Sequence, residues 1–396
     1  MAKKGHFMLL TNAKIYTMSA GVIESGFIFV KDGKIAKVGK MDELGGLADE
    51  EEINLNGQSV YPGFVDAHTH MGLFENGLGI EGEDGNEYTD PTTPHLKAID
   101  AVNPMDRSFR EALLAGVTTV VTGPGSANPI GGQLLAMKTS GVCVDDMVIK
   151  PTVAVKFALG ENPKMIYNDK NQTPMTRMAT AAIIREQLNK AKRYLCDKTK
   201  AEESPSEYDL PEYDAKCEAL IPLLRREIPA HIHAHRSDDI FTAIRIAKEF
   251  DIDYTIVHAT EGHLIADRLK SERVNVLSGP ILTDRSKPEL ANLSTKTPEV
   301  LAKNDIMIGI ITDHPETPIQ YLPLCAAVAV REGMDEYEAL RAITINPARI
   351  CNITDRVGSI SEGKDADLVV FDGSPFDVMK KPSLVICDGK IENKNM

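Results

Sequence analysis

The residues with the densest chemical potential run Asp66-Ala67-His68-Thr69-His70, behind the apolar lead-in Val60-Tyr61-Pro62-Gly63-Phe64-Val65. Strand side chains alternate between faces, so Asp66, His68 and His70 share one face. Neutral imidazole is a common ligand for transition metals, and a His-x-His pair at a strand end can hold one ion from adjacent rungs. Later in the chain stand His233, in His231-Ile232-His233-Ala234-His235-Arg236, then His258 at the end of Tyr254–His258, and Asp313 after the apolar run Ile306–Thr312. A single buried histidine is more often a satisfied core residue than a ligand. Polar ligand types closing several successive apolar runs are not what packing alone selects. Lys156 interrupts the apolar stretch Val153–Gly160. An unpaired ammonium buried there is strongly unfavourable, so its charge must be paired or chemically changed.

The elements that position these residues alternate strand and helix. A helix is predicted over Asp106–Ala115, then strands Val117–Val121, Gln133–Met137 and Val148–Lys156, and a helix over Thr176–Leu195. The charged, proline-bearing stretch Cys196–Ala215 reads as an exposed insertion. Strand Ala230–His233, helix Asp239–Phe250, strand Tyr254–His258, helix Gly262–Lys270, strand Val274–Ser278 and strand Ile306–Thr312 continue the alternation. Repeated βα units imply a closed parallel (β/α)8, TIM-like barrel whose working residues sit at the C-terminal strand ends. Short strands before residue 61 are too few for a core of their own. The last residues repeat their pattern, and Cys387-Asp388-Gly389-Lys390-Ile391 echoes Lys31-Asp32-Gly33-Lys34-Ile35. The two ends are therefore expected to complete each other. The prediction is a small discontinuous β-sandwich of residues 1–61 and 358–396 around a barrel of residues 62–357.

A chain of 396 residues, 42% hydrophobic, can bury one large core, and its formal charge of −14 argues against nucleic-acid and anionic-membrane surfaces. The early apolar run Phe7–Leu10 is too short for a signal or a membrane span. Cysteines 143, 196, 217, 325, 351 and 387 show no Cys-x-x-Cys spacing, so neither a zinc-thiolate site nor a disulfide framework is indicated. Reduced thiols in a cytoplasmic protein with a small-molecule substrate are expected, and homo-oligomers are compatible with the sequence.

Three motifs together give a family resemblance: Pro62–His70, Thr344-Ile345-Asn346-Pro347-Ala348 and Gly363-Lys364-Asp365-Ala366-Asp367-Leu368-Val369-Val370. The sequence resembles the amidohydrolase superfamily of metal-dependent hydrolases, on its imidazolonepropionase-related and dipeptidase-like branch. The resemblance implies one or two divalent ions, zinc first among them. It places His68, His70 and Asp313 on one ion and His233 and His258 on a second, with hydroxide between. It also implies a carbamylated Lys156 as the bridge, against a plain reading of Lys156 as a salt-bridged or substrate-binding lysine. Asp313 is the expected general base and proton shuttle, although an Asp before His-Pro could equally cap a turn. His235, Arg236 and Arg285 are expected to bind substrate, with Arg177 nearby, because guanidinium matches a carboxylate bidentately. His231 is expected to be structural. The expected reaction is hydrolysis of an amide or cyclic amide C–N bond in a small carboxylate-bearing substrate. A mononuclear deaminase of the same fold is the alternative enzyme, but such enzymes carry Glu three residues after the strand-five His, where this chain has Arg236. A non-catalytic scaffold is the alternative outside enzymes.

Overall fold

The computed structural model describes residues 7–46, 52–75 and 79–394. Residues 1–6, 47–51 and 395–396 of the expected terminal unit, and 76–78 of the polar segment after His70, lie outside them. Five strands open the chain: β1 (Phe7–Tyr16), β2 (Val22–Lys31), β3 (Lys34–Lys40), β4 (Glu52–Asn54) and β5 (Ser59–Pro62). Eight more follow: β6 (Phe64–Thr69), β7 (Val117–Thr122), β8 (Ile130–Lys138), β9 (Val148–Ala158), β10 (Ala230–Ala234), β11 (Tyr254–His258), β12 (Asn275–Ser278) and β13 (Ile308–Ile310). The last three are β14 (Leu368–Phe371), β15 (Leu384–Cys387) and β16 (Lys390–Lys394).

Strands from both ends form one sheet in the order β16-β15-β14-β5-β1-β2-β3, with β4 beside β1. The junction is antiparallel, Val60 opposite Val370. Met8, Leu10, Ile28, Val30, Val60, Leu368, Val370 and Ile386 make its own apolar cluster. From β5 the chain passes into β6 through Gly63. A Cβ there would lie 2.0 Å from Thr118 Oγ1, so the tight crossing between sheets requires glycine. Lys138, at the end of β8, also ties the sheets together. Its buried ammonium lies 2.9 Å from Asp365, 2.6 Å from Asp367 and 3.1 Å from Asp388.

The second sheet runs β6-β7-β8-β9-β10-β11-β12-β13 and curls into a TIM-like barrel. The all-parallel expectation is corrected at β8, which pairs antiparallel with both β7 and β9. The cause is connection length. Gly123–Pro129 and residues 139–147 fall short of the dozen or so residues that a parallel crossover needs, so the chain turns back. The helical expectation is corrected at Arg177–Glu203, which runs well past Leu195. Thr176 Oγ1 caps its start by accepting from Ala179 N at 3.1 Å. Its far end is held because Tyr194 and Lys198 both reach Glu218 at 2.6 Å and Ala201 is buried. These contacts to the next helix supply what the charged sequence hides. Among the described residues no helix is long and apolar enough to cross a membrane.

Candidate metal centre

His68 closes β6 with its side chain fully buried, and the alternating residues Val65 and Ala67 join a separate apolar cluster with Val257, Leu277 and Ala348. Strand alternation thus splits a histidine face from a packing face. Asp313 lies three residues beyond β13, at a φ of +53°. Asp66 holds this turn against β6. Its Oδ2 accepts from Thr312 N at 3.0 Å and from Thr312 Oγ1 at 2.6 Å, while its Oδ1 accepts from His68 N at 3.1 Å. His70 N donates to His314 O at 2.8 Å across the same seam. Asparagine at 66 would set an amide donor against donors. Asp66→Asn is expected to weaken metal binding or activity about 10–100-fold, the usual cost of losing an outer-shell support, measured by chelator competition and steady-state kinetics.

His68 Nε2 and His70 Nε2 stand 3.3 and 3.4 Å from Asp313 Oδ1. His70 Nδ1 is 2.7 Å from Gly123 O, and His258 Nδ1 is 2.7 Å from Gly279 O. Carbonyl oxygen only accepts, so each Nδ1 carries a proton and each ring turns Nε2 inward. Burial drives His68, His233 and His235 well below the ordinary imidazole range and lowers His258 to about 4, so these rings are neutral at pH 7 and free to coordinate. The ligand atoms of His68, His258 and Asp313 lie within 4.8 Å of one another, as do those of His233, His235 and His258. His68 Nδ1, both ring nitrogens of His233 and Asp313 Oδ1 are buried without a hydrogen-bond partner. Buried, unpartnered ligand atoms gathered in two groups that share His258 fit one or two divalent ions.

Lys156, fully buried on β9, brings Nζ to 3.1 Å from His68 Nε2. Burial lowers it to about 8, against the opposing pull of Asp313. His231 sits beside it in register on β10, and both its ring nitrogens are without partners. Lys150, earlier on β9, lies in the half-exposed part of that strand.

A cleft of about 340 Å³ opens over the cluster, lined among others by His70, His233, His235, Lys287, Asp313 and Glu316. The three arginines stand apart from this cleft. Arg236 caps the helix Ser237–Phe250, and its guanidinium turns back onto Asp238 at 2.8 and 3.0 Å. Arg285 donates to Leu293 O at 2.6 Å on an exposed loop, and Arg177 is paired with Asp239 at 3.0 Å. None of the three lines the cleft. Two charged residues missed by sequence reading stand near its histidines. Glu289, 1% exposed, places Oε1 3.6 Å from His235 Nε2 and 3.7 Å from His233 Nε2, and Lys287 is paired with it at 2.9 Å. The available signal was their place in the loop following a predicted strand, Val274–Ser278.

The model of the amidohydrolase family matches residues 59–392, so the chain belongs to that family. With it the chain joins the enzymes that hydrolyse carbon–nitrogen bonds. A crystal structure of an amidohydrolase from Thermotoga maritima MSB8 is 43% identical, with a TM-score of 0.93 over 98% of this chain and 100% of that one. Imidazolonepropionase of Maricaulis maris is 26% identical over 92% of each chain. Amidohydrolase tasK of Hapsidospora irregularis is 28% identical over 92% of this chain, which spans 39% of that protein's length.

Proposed function

We propose that this enzyme hydrolyses the C–N bond of a small, carboxylate-bearing amide or cyclic amide, using one or two divalent ions, zinc first among them. The observation that carries the reading is the convergence of buried ligand atoms: those of His68, His258 and Asp313, and those of His233, His235 and His258, each lie within 4.8 Å of one another. His68, His70 and Asp313 would hold one ion; His233 and His258, with carbamylated Lys156 as bridge, would hold the other. Such an ion supplies Lewis acidity and lowers the pKa of water at the site. Asp313 accepts the proton of the attacking water and hands it to the departing nitrogen, so one carboxylate serves both half-steps. His235, with Nδ1 2.7 Å from Thr260 Oγ1, has its ring orientation fixed and presents Nε2 to the substrate. A deaminase would need a carboxylate at position 236, and the arginine there faces away onto Asp238.

Residues 1–61 with 358–396 are read as a composite β-sandwich domain and 62–357 as the catalytic barrel, supported by the separate apolar cluster of the terminal sheet. All six cysteines are free, which suits a reducing cytoplasm. The reaction is tested by turnover of metal-loaded enzyme against N-acyl amino acids and dipeptides, cyclic amides, and amino-purines or pyrimidines. Turnover is expected in the first or second panel. Ammonia release from the third, with silence in the others, would overturn the reading.

A further inference from the structure

With Arg236 and Arg285 turned away, the cleft's own basic group is Lys287. Among the described residues lining the cleft it is the one lysine or arginine. Its ammonium is placed by two acceptors, Asn162 Oδ1 at 2.9 Å and Glu289 Oε1 at 2.9 Å. Both acceptors are themselves held. Asn162 Nδ2 donates to Ser126 Oγ at 2.7 Å. Glu289 and Glu161 clasp each other reciprocally, Glu161 N to Glu289 Oε2 at 2.9 Å and Glu289 N to Glu161 Oε2 at 3.2 Å. Gly160 makes room for this clasp. At its φ of +85° a Cβ would stand 2.8 Å from Glu289 Oε2.

An ammonium has three N–H donors, and Asn162 Oδ1 takes one in a hydrogen bond while Glu289 Oε1 makes an ion pair. Its side chain is 30% exposed in the cleft wall, so a remaining donor can reach a ligand. Glu289 Oε1 is shared, 2.9 Å from the ammonium and 3.6 Å from His235 Nε2, which sets the positive charge one carboxylate away from the histidine cluster. We propose that Lys287 is the specificity-determining residue that binds the substrate's carboxylate, as in an N-acyl amino acid or a dipeptide, since it lines the same cleft as His233, His235 and Asp313. The inference rests on the amide-hydrolysis reading for its orientation of the substrate. Lysine reads the anion as a point charge through one charge-assisted hydrogen bond, so a neutral carboxamide of equal shape loses the charge and keeps the fit.

The test measures binding separately from turnover. Metal-loaded enzymes slowed by Asp313→Asn, carrying the wild-type residue, Met or Arg at position 287 (Lys287→Met, Lys287→Arg), are titrated calorimetrically with N-acetyl α-amino acids, each paired with its primary carboxamide. Wild type in these titrations refers to position 287, and hydrolysis is followed with Asp313 intact. Wild type is expected to prefer the acid at least tenfold. Lys287→Met is expected to bring the pair within about twofold by weakening the acid alone, and Lys287→Arg to restore most of the preference. Wild type binding acid and amide alike, or Lys287→Met weakening both in proportion, overturns the assignment. Acid preference lost in Lys287→Met, with wild type hydrolysing neither these compounds nor cyclic amides and releasing ammonia from amino-purines or pyrimidines, supports Lys287 as the anchor while rejecting the amide-hydrolysis reading. The two failures are therefore distinguishable.

Discussion

Asp313→Asn is expected to lower kcat by about 10²–10⁴-fold, the scale of one positioned acid–base group, while leaving most of the bound metal in place. The amide keeps an oxygen where Oδ1 now stands, 3.3 and 3.4 Å from the Nε2 atoms of His68 and His70. It can therefore still offer a ligand atom to an ion shared with those imidazoles. What it cannot do is take a proton from water and return it to nitrogen. The Asp66 clasp acts on Thr312, so the substitution leaves the turn's own support intact. Metal per chain by plasma emission and kcat on the best substrate from the turnover panel separate the two roles. Loss of metal in step with activity would make Asp313 chiefly a ligand, and the proton would then need another carrier.

The histidines were legible because strand alternation needs only local sequence. His68 and His70 share a face whatever the rest of the chain does, and the apolar run before each of His233 and His258 marks a strand end. Strand direction was not legible at β8, since a short apolar run carries no arrow; the lengths of the flanking connections set it. Arg236 had the right parity and the wrong destination. A helix begins at the next residue, and Asp238 in its first turn captures the guanidinium at a distance no period-two argument registers. Lys287 and Glu289 were invisible for a different reason. Their placement depends on Glu161, 128 residues away from Glu289, and on the missing Cβ of Gly160. A clasp of that kind exists only once the barrel has brought the loops after β9 and β12 together. Loop residues positioned by long-range contacts are the part of a site that sequence periodicity does not encode.

Lys156→Ala is expected to cost activity by about 10²–10³-fold, the scale of removing one charge-stabilising group from a buried site, and to regain part of it with formate, acetate or propionate. The rescue follows from the chemistry of the proposed bridge. A neutral lysine amine attacks carbon dioxide, an N–C bond forms, one proton leaves, and the product is a carboxylate that a small carboxylic acid can replace in the space left by alanine. Burial sets the conditions for that reaction. An ordinary lysine near 10.5 is neutral in only about one molecule in 3,000 at pH 7. Lys156, lowered to about 8, is neutral in roughly one in ten. The lowered value means the reactive form is gained as pH rises. At a fixed concentration of dissolved carbon dioxide, with bicarbonate adjusted at each pH to hold it, carbamylation of metal-free enzyme should therefore accelerate nearly tenfold per pH unit up to about 8 and then level off. Labelled ¹³C-bicarbonate gives the readout, a carbamate carbonyl resonance present in wild type and missing in Lys156→Ala. No resonance in wild type at pH 8 with metal present, together with no rescue by any short carboxylate, would leave Lys156 as the partner of His68 Nε2 at 3.1 Å and remove the bridge from the site.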